Sequence, residues 1–291
     1  MINMPFCANC GKEHAEEDIF CSKCGHLLNE NREEVVEVID LGYPESDDLM
    51  LELGTPVSGK LEIKPGGEKL VEGTITYNVP HWKPYISERA GLVQVKQEER
   101  WGNIHWDTPK NDWYLHLGTS KPYELVIKTG VSRSNLSLGG LPLTKLRIGS
   151  GVGQCITQFD VPNPEVMQLM RIESGAGQTE IYGILNANPR EVRISGGVGE
   201  VKLDFTGKPL ENDVHVRVEG GVGSFELDIP KDIAAVVRVN GFAGVDLRGE
   251  FRTIQRGFGS GVYETEAYSK DGPALDIRVS VGIGGLTLRS V

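Results

Sequence analysis

The stretch Val192-Arg-Ile-Ser-Gly-Gly-Val-Gly-Glu-Val-Lys-Leu203 decides the fold of this 291-residue chain. Apolar and polar residues alternate on both sides of its Gly-Val-Gly corner, which is the two-residue period of a β-strand. The same corner recurs with its last small residue at Gly153, Gly177, Gly223 and Gly284, and in a shortened form at Ala243. The steps between successive corners are 24, 22, 24, 20 and 41 residues.

This period predicts an all-β protein whose main part is a single-stranded-coil β-helix, or β-solenoid. Each coil has one strand before the corner and one after it, and stacked coils bury a continuous apolar column. The 41-residue step is about two periods, so a degenerate coil is expected around residues 257–267. A Gly-Val-Gly corner could also cradle phosphate, but that needs a following helix and here a strand follows.

The repeat contains two kinds of residue that could have a function, an inward cysteine and a row of outward arginines. Cys155 falls in an inward column with Val201 and Phe225, so it is predicted to be a buried thiol rather than a nucleophile. One Arg of each coil lies between two inward residues and therefore points outward, and stacking is expected to align these side chains in a ladder. Two interpretations stay open, a solvated face with weak ion pairs or a stripe that binds a partner or anion. The row consists of Arg147, Arg171, Arg193, Arg217, Arg238 and Arg278.

Four of the five cysteines form two Cys-x-x-Cys-Gly knuckles, at Cys7/Cys10 and Cys21/Cys24. Two such knuckles supply four thiolates to one tetrahedral ion, which predicts a closed, structural zinc site. His14 and His26 lie nearby but are not needed as ligands. The alternatives are two disulfides or a redox Cys-x-x-Cys pair. A reducing compartment disfavours the disulfides, and a redox pair would not need a second copy of the motif.

The charge balance excludes several classes of function. The chain has 30 Lys and Arg against 41 Asp and Glu, a net charge of −11, whereas binding to nucleic acid or anionic membrane needs clustered basic residues. An apolar run long enough to span a membrane and a signal peptide are both missing from the sequence. The chain is therefore predicted to be cytoplasmic, lying at the inner membrane only through a partner.

The sequence divides into four segments: a zinc ribbon (1–28), a linker (29–47), a β-rich cap (48–118) and the solenoid (119–291). The cap segment contains every tryptophan of the chain. These aromatic residues are predicted to cover the open end of the solenoid, and the alternative is an aromatic platform for a sugar or peptide. They are Trp82, Trp101, Trp106 and Trp113.

Two parts of the chain resemble known bacterial families. Residues 5–28 resemble short N-terminal zinc ribbons. The run Gly59-Lys-Leu-Glu-Ile63-Lys-Pro-Gly-Gly67, then Leu70-Val-Glu-Gly73-Thr-Ile-Thr-Tyr77 and the glycine-cornered coils, resembles the toast-rack proteins, which are similar to the C-terminal domains of envelope-stress and antibiotic-response regulators. The resemblance implies a single-layer β-solenoid, no catalytic residues, and a role in protein interaction or sensing at the envelope.

We therefore predict a non-enzymatic scaffold that binds a protein partner, itself membrane-associated, through the solenoid face or the ribbon. The histidines outside the ribbon, His81, His105, His116 and His215, are too scattered to suggest a catalytic set. The alternatives are a carbohydrate- or ligand-binding β-helix that uses the tryptophans, and a zinc-ribbon nucleic-acid adaptor, which the charge disfavours. An uncovered last coil at residues 286–291 is expected to allow end-to-end pairing of solenoids.

Overall fold

Nearly all regular structure in this protein is β-strand. The computed structural model describes residues 5–15, 18, 20–26, 28, 34–98, 109–257 and 259–291. Short 3-10 helices lie at Pro80–Trp82 and Ile184–Ala187. The strands are β1 (Val35–Leu41), β2 (Met50–Pro65), β3 (Val71–Tyr77), β4 (Tyr85–Arg89), β5 (Leu92–Lys96), β6 (Asn111–Leu117), β7 (Tyr123–Ser137), β8 (Leu143–Gln158), β9 (Leu169–Tyr182), β10 (Glu191–Asp204), β11 (Val214–Ile229), β12 (Ala235–Arg248), β13 (Phe251–Gly257), β14 (Ser260–Thr265) and β15 (Leu275–Ser290).

A single sheet joins these strands in the order β1-β3-β6-β2-β7-β8-β9-β10-β11-β15-β12-β14-β13, with β5 and β4 added beside β2. From β2 to β12 all neighbours are parallel. Each of these strands is 14 to 16 residues long and runs through both halves of one coil, across the glycine corner. The predicted β-solenoid is confirmed.

The buried residues of a coil switch between even and odd sequence numbers at the corner. In β9, Met170 and Ile172 are buried before the corner, and Thr179 and Ile181 are buried after it. The first pair is even-numbered and the second is odd-numbered, so the corner turns the chain by one residue and both halves face the same interior. The connections between strands add further apolar side chains, such as Phe159 and Phe205, to this core.

The corners stack backbone on backbone. Gly177 has a φ of 131° and Gly199 a φ of 142°, a region that residues with a side chain rarely adopt. A Cβ on Gly199 would overlap the carbonyl oxygen of Gly177, and a Cβ on Gly177 would overlap that of Gly153. The glycine repeat is therefore a steric requirement of coil stacking.

The cap segment extends the sheet beyond β2. The first half of β2 pairs with β5, and the second half pairs with β6, which leads to β3 and β1. Trp82 and Trp113 are fully buried there, and the Trp113 indole donates to Asn111 at 3.2 Å. These two rings belong to the core and offer no exposed face to a ligand. Trp101 and Trp106 lie outside the described residues.

The C-terminal region differs from the expected order of coils. Instead of a degenerate coil around residues 257–267, β13 and β14 form an antiparallel hairpin on β12. The last strand, β15, lies between β11 and β12 and pairs in parallel with both. The expectation of an uncovered last coil at residues 286–291 is therefore wrong, because β12, β14 and β13 follow β15 in the sheet.

The length of the β12 corner explains this order. The corner at Gly241 is one residue shorter than the others, and the register between β12 and β15 shifts between Gly241 and Phe242. A strand with a shortened corner pairs imperfectly with a strand that has a full corner. At the end of the parallel stack, β12 has only one full-corner neighbour, β15, so only one pairing contains this mismatch. The full-length β15 corner instead matches β11 through Gly284 and Gly223 without a shift.

Candidate functional site: a zinc centre and an arginine ladder

The four ribbon cysteines converge on one point. Their Sγ atoms lie within 4.8 Å of one another, with Cys7 and Cys24 at 3.7 Å and Cys10 and Cys21 at 3.3 Å. Zinc–sulfur bonds of about 2.3 Å in a tetrahedron place neighbouring sulfurs about 3.8 Å apart. The cluster therefore fits Zn²⁺ with small adjustments, and it consists of the four thiols without His14 or His26.

The two knuckles have the same backbone geometry. The Gly11 amide donates to the Cys7 carbonyl at 2.8 Å, and the Gly25 amide donates to the Cys21 carbonyl at 2.8 Å. Both glycines are left-handed, with φ of 69° and 72°, which is why glycine follows each second cysteine. Zinc held by these four residues links the two knuckles and stabilises the fold of the ribbon.

The local electrostatics prepare one thiol for metal binding. Burial acts to raise the pKa of Cys21, but hydrogen bonds from the Lys23 amide and the Cys10 thiol lower it to about 6. Metal binding requires thiolates, and the lowered pKa of Cys21 favours its thiolate form. All four ligand positions are protein sulfurs, and a closed site of this kind is structural.

The arginine ladder predicted from the repeat is confirmed by the strand register. Six adjacent strands carry an arginine at the same register position. In the order β8, β9, β10, β11, β15 and β12, these residues are Arg147, Arg171, Arg193, Arg217, Arg278 and Arg238. Neighbouring strands in a sheet lie about 4.8 Å apart. Between 42% and 61% of each of these side chains is exposed. Six cations are therefore presented in one line.

Carboxylates on the same face partly neutralise the ladder. Arg171 pairs with Glu173 at 2.6 Å, and Arg193 pairs with Glu191 at 2.7 Å. The pairs at the remaining positions are Arg217–Glu219 (3.9 Å), Arg278–Asp276 (3.6 Å), Arg238–Asp276 and Arg147–Glu124. The pairs of Arg171, Arg193 and Arg217 are exposed on both sides. Such pairs contribute about 1 kcal/mol or less, so a carboxylate of a partner can replace them at little cost.

Cys155 takes no part in a site. It is buried in the inward column, and burial raises the pKa of its thiol to about 11 while Thr157 lowers it only slightly. The predicted assignment as a core thiol is confirmed.

Sequence reasoning missed a cleft of about 550 Å³ beside β2, β5 and β7. Its floor carries Glu52, which pairs with Lys96 at 2.7 Å and Lys128 at 2.9 Å. Burial acts to raise the pKa of Glu52, but the two lysines hold it at about 2. The sequence around Glu52, a Glu between two leucines, does not predict this ion-pair cluster, because the two lysines come from other strands of the sheet.

Comparison with known proteins adds family information. Residues 29–182 match a family model described as the N-terminal domain of toast_rack, DUF2154, and residues 6–28 match a zinc-ribbon domain. A crystal structure from Clostridium sporogenes, described as a "putative cell adhesion protein", is 22% identical, with a TM-score of 0.48 over 89% of this chain and 99% of that chain. None of the curated proteins matches the chain. Among the described residues, no helix has the length and apolar character needed to cross a membrane.

Proposed function

This chain belongs to the toast-rack N-terminal domain family, and on that premise we propose that it is a non-enzymatic interaction protein. Its solenoid presents the arginine ladder to an acidic surface of a protein partner, and the zinc ribbon is a separate folding unit that adds a second contact surface. The partner is a membrane-associated protein of the envelope-stress response, and the chain acts on the cytoplasmic side. Four thiolates that bind zinc support this compartment, since they need reducing conditions.

One observation carries the proposal, the alignment of six exposed arginines at a single register position. Arginine forms bidentate hydrogen bonds with carboxylates and is enriched at protein interfaces. A linear array about 4.8 Å apart matches a partner that presents carboxylates in a row, such as an acidic strand or loop. The backbone that carries the array is a rigid sheet, so binding does not require the ordering of a flexible backbone and its entropy cost is lower.

The test is affinity capture by the full chain from a lysate of the source cells with membranes included. The Arg171→Glu/Arg193→Glu variant reverses two adjacent rungs of the ladder, and Arg256→Glu on β13 is the matched control because Arg256 is exposed and off the ladder. We expect the ladder variant to lose at least about tenfold of the captured partner and the control to keep it. Unfolding midpoints of all three proteins are measured to verify that the fold is intact.

Equal capture by the wild type and the ladder variant would contradict a role of this face. Capture by residues 48–291 alone would assign the contact to the solenoid, whereas loss with Cys7→Ser/Cys10→Ser alone would assign it to the ribbon.

A further inference from the structure

A row of apolar side chains lies along the glycine corners, and four of its six members are exposed while Val131 and Ala176 are half-buried. The row occupies one register position on six adjacent strands. In the order β7, β8, β9, β10, β11 and β15, its members are Val131, Val152, Ala176, Val198, Val222 and Ile283. The exposed fractions are 51% for Val152, 59% for Val198, 47% for Val222 and 66% for Ile283. We call this row the corner ridge. Aligned exposure of this kind, rather than single scattered apolar residues, indicates an interaction surface.

The corner ridge has glycine rows on both sides. The residues that precede it, Gly151, Gly175, Gly197, Gly221 and Gly282, are all exposed. The residues that follow it include Gly153, Gly177 and Gly199. The ridge therefore rises between two shallow grooves of bare backbone, and ridge and grooves repeat at the strand spacing of about 4.8 Å. A surface with the same repeat can set its side chains into these grooves, and a second copy of this chain has that repeat.

The two flanks of the corner ridge carry opposite charge. Before the corner, the six strands of the ridge contain seven basic and five acidic residues, and after the corner they contain three basic and five acidic residues. The first flank includes five arginines of the ladder, and the second includes Glu180, Glu200 and Glu226. The surface is thus basic on one side of an apolar line and acidic on the other.

From this arrangement we propose that two copies of the chain pair through their corner ridges, about a two-fold axis parallel to the ridge. This axis sets the basic flank of each copy opposite the acidic flank of the other. A two-fold axis perpendicular to the ridge would instead oppose like flanks. Isologous pairing is the commonest form of homo-oligomer, and here charge complementarity selects its orientation. The inference goes beyond the proposed partner binding and does not depend on it.

The size of the surface sets the strength of this pairing. Six strands give a ridge about 24 Å long, and stable interfaces bury about 800 Å² per partner. The ridge and its grooves alone are smaller than that, so the charged flanks must contribute. We therefore expect a dimer in equilibrium with monomer at micromolar concentrations, and the dimer weakens as salt screens the flanks.

Sedimentation velocity of the full chain over a range of concentrations tests the pairing. The Val198→Thr/Val222→Thr variant keeps β-branched side chains but makes the ridge polar, and Val161→Thr is the matched control because Val161 is 52% exposed and lies off the ridge. We expect the ridge variant to raise the dimer dissociation constant at least about tenfold and the control to leave it unchanged. A wild type that stays monomeric at 200 μM, about the upper end of micromolar affinity, would overturn the proposal. So would a ridge variant that dimerises like the wild type, or a monomer that binds neutral lipid vesicles through the ridge.

Cross-linking tests the orientation. Val152 is the second of the six ridge positions and Val222 is the fifth. With an axis parallel to the ridge, the Val152→Cys variant meets the same residue of its partner, so a short bifunctional thiol reagent links two copies of that one variant. With a perpendicular axis through the middle of the ridge, Val152 meets Val222 of the other copy, so links form only in a mixture of Val152→Cys and Val222→Cys proteins. The first result supports the charge-selected arrangement, and the second would overturn it.

Discussion

At the residue scale, Gly177 shows how coil stacking limits the size of a corner side chain. Its φ is 131°, and a Cβ would overlap the carbonyl oxygen of Gly153 on the neighbouring strand. We expect Gly177→Ala to lower the free energy of unfolding by about 1–3 kcal/mol, because the backbone must leave its conformation or the strands must separate. Urea unfolding measures this change.

Gly149 is the matched control for that substitution. It precedes the corner of β8, has no positive φ, and has open space where a Cβ would lie. Gly149→Ala is expected to change stability by less than about 0.5 kcal/mol or to increase it slightly. If both variants are equally destabilised, the cause is a general loss of backbone freedom and not coil stacking.

Glu52 is the residue at which stability is coupled to pH. Its folded pKa is about 2, below its ordinary value of 4.5, because Lys96 and Lys128 outweigh the effect of burial. A carboxyl group with a lowered pKa stabilises the fold above pH 4.5, and this contribution is lost as the pH falls through about 2. We expect Glu52→Gln to cost about 1–3 kcal/mol at pH 7 and progressively less at pH 4 and pH 3.

The comparison for Glu52 is Glu219→Gln, which removes an exposed carboxylate 3.9 Å from Arg217. Its effect should be small at every pH, since exposed pairs contribute little. Urea unfolding of the wild type and both variants at each pH measures the differences. A Glu52→Gln difference that does not shrink with acid would show that packing, and not charge, stabilises this cleft.

At the element scale, sequence predicted the parallel strands from β7 onward, but it placed β2 in the cap and did not give the order of the last strands. The alternation around Arg217, Arg238 and Arg278 is the same in β11, β12 and β15, so each of the later strands fits beside β11. Register along the sheet follows from alternation, and this is why the arginine ladder was predictable. The choice between β12 and β15 depends on one missing corner residue at Gly241, whose effect appears only when corners stack.

Hydrogen exchange tests the insertion of β15. The amides of β15 lie between two parallel neighbours, so we expect residues 275–290 to be protected as strongly as β10. The edge strand β13, whose residues are mostly exposed, should exchange much faster. Rapid exchange throughout β15, as in an edge strand, would be incompatible with the insertion.

At the scale of the whole molecule, the solenoid and its cap share one core. The buried apolar residues form a cluster that runs from Ile39 to Leu288, and none of the ribbon residues that the structure describes belongs to it. The ribbon is instead organised around its four cysteines. Sequence predicted both units from their motifs, but it did not predict the corner ridge, because a valine between two glycines has the same pattern whether it is covered or exposed.

Because the described ribbon residues lie outside the apolar core, we expect a zinc chelator to unfold the ribbon without changing the unfolding midpoint of the solenoid. Chelation should expose the thiols of Cys7, Cys10, Cys21 and Cys24 to a thiol reagent, and Cys155 should react only after the solenoid unfolds, since it is buried with a raised pKa. Calorimetry and thiol counting, before chelation and after zinc is restored, measure both effects. A solenoid midpoint that falls with chelation and recovers with zinc would mean that the ribbon packs on the solenoid and shares its stability, and the partner surfaces proposed for the two units would then be one.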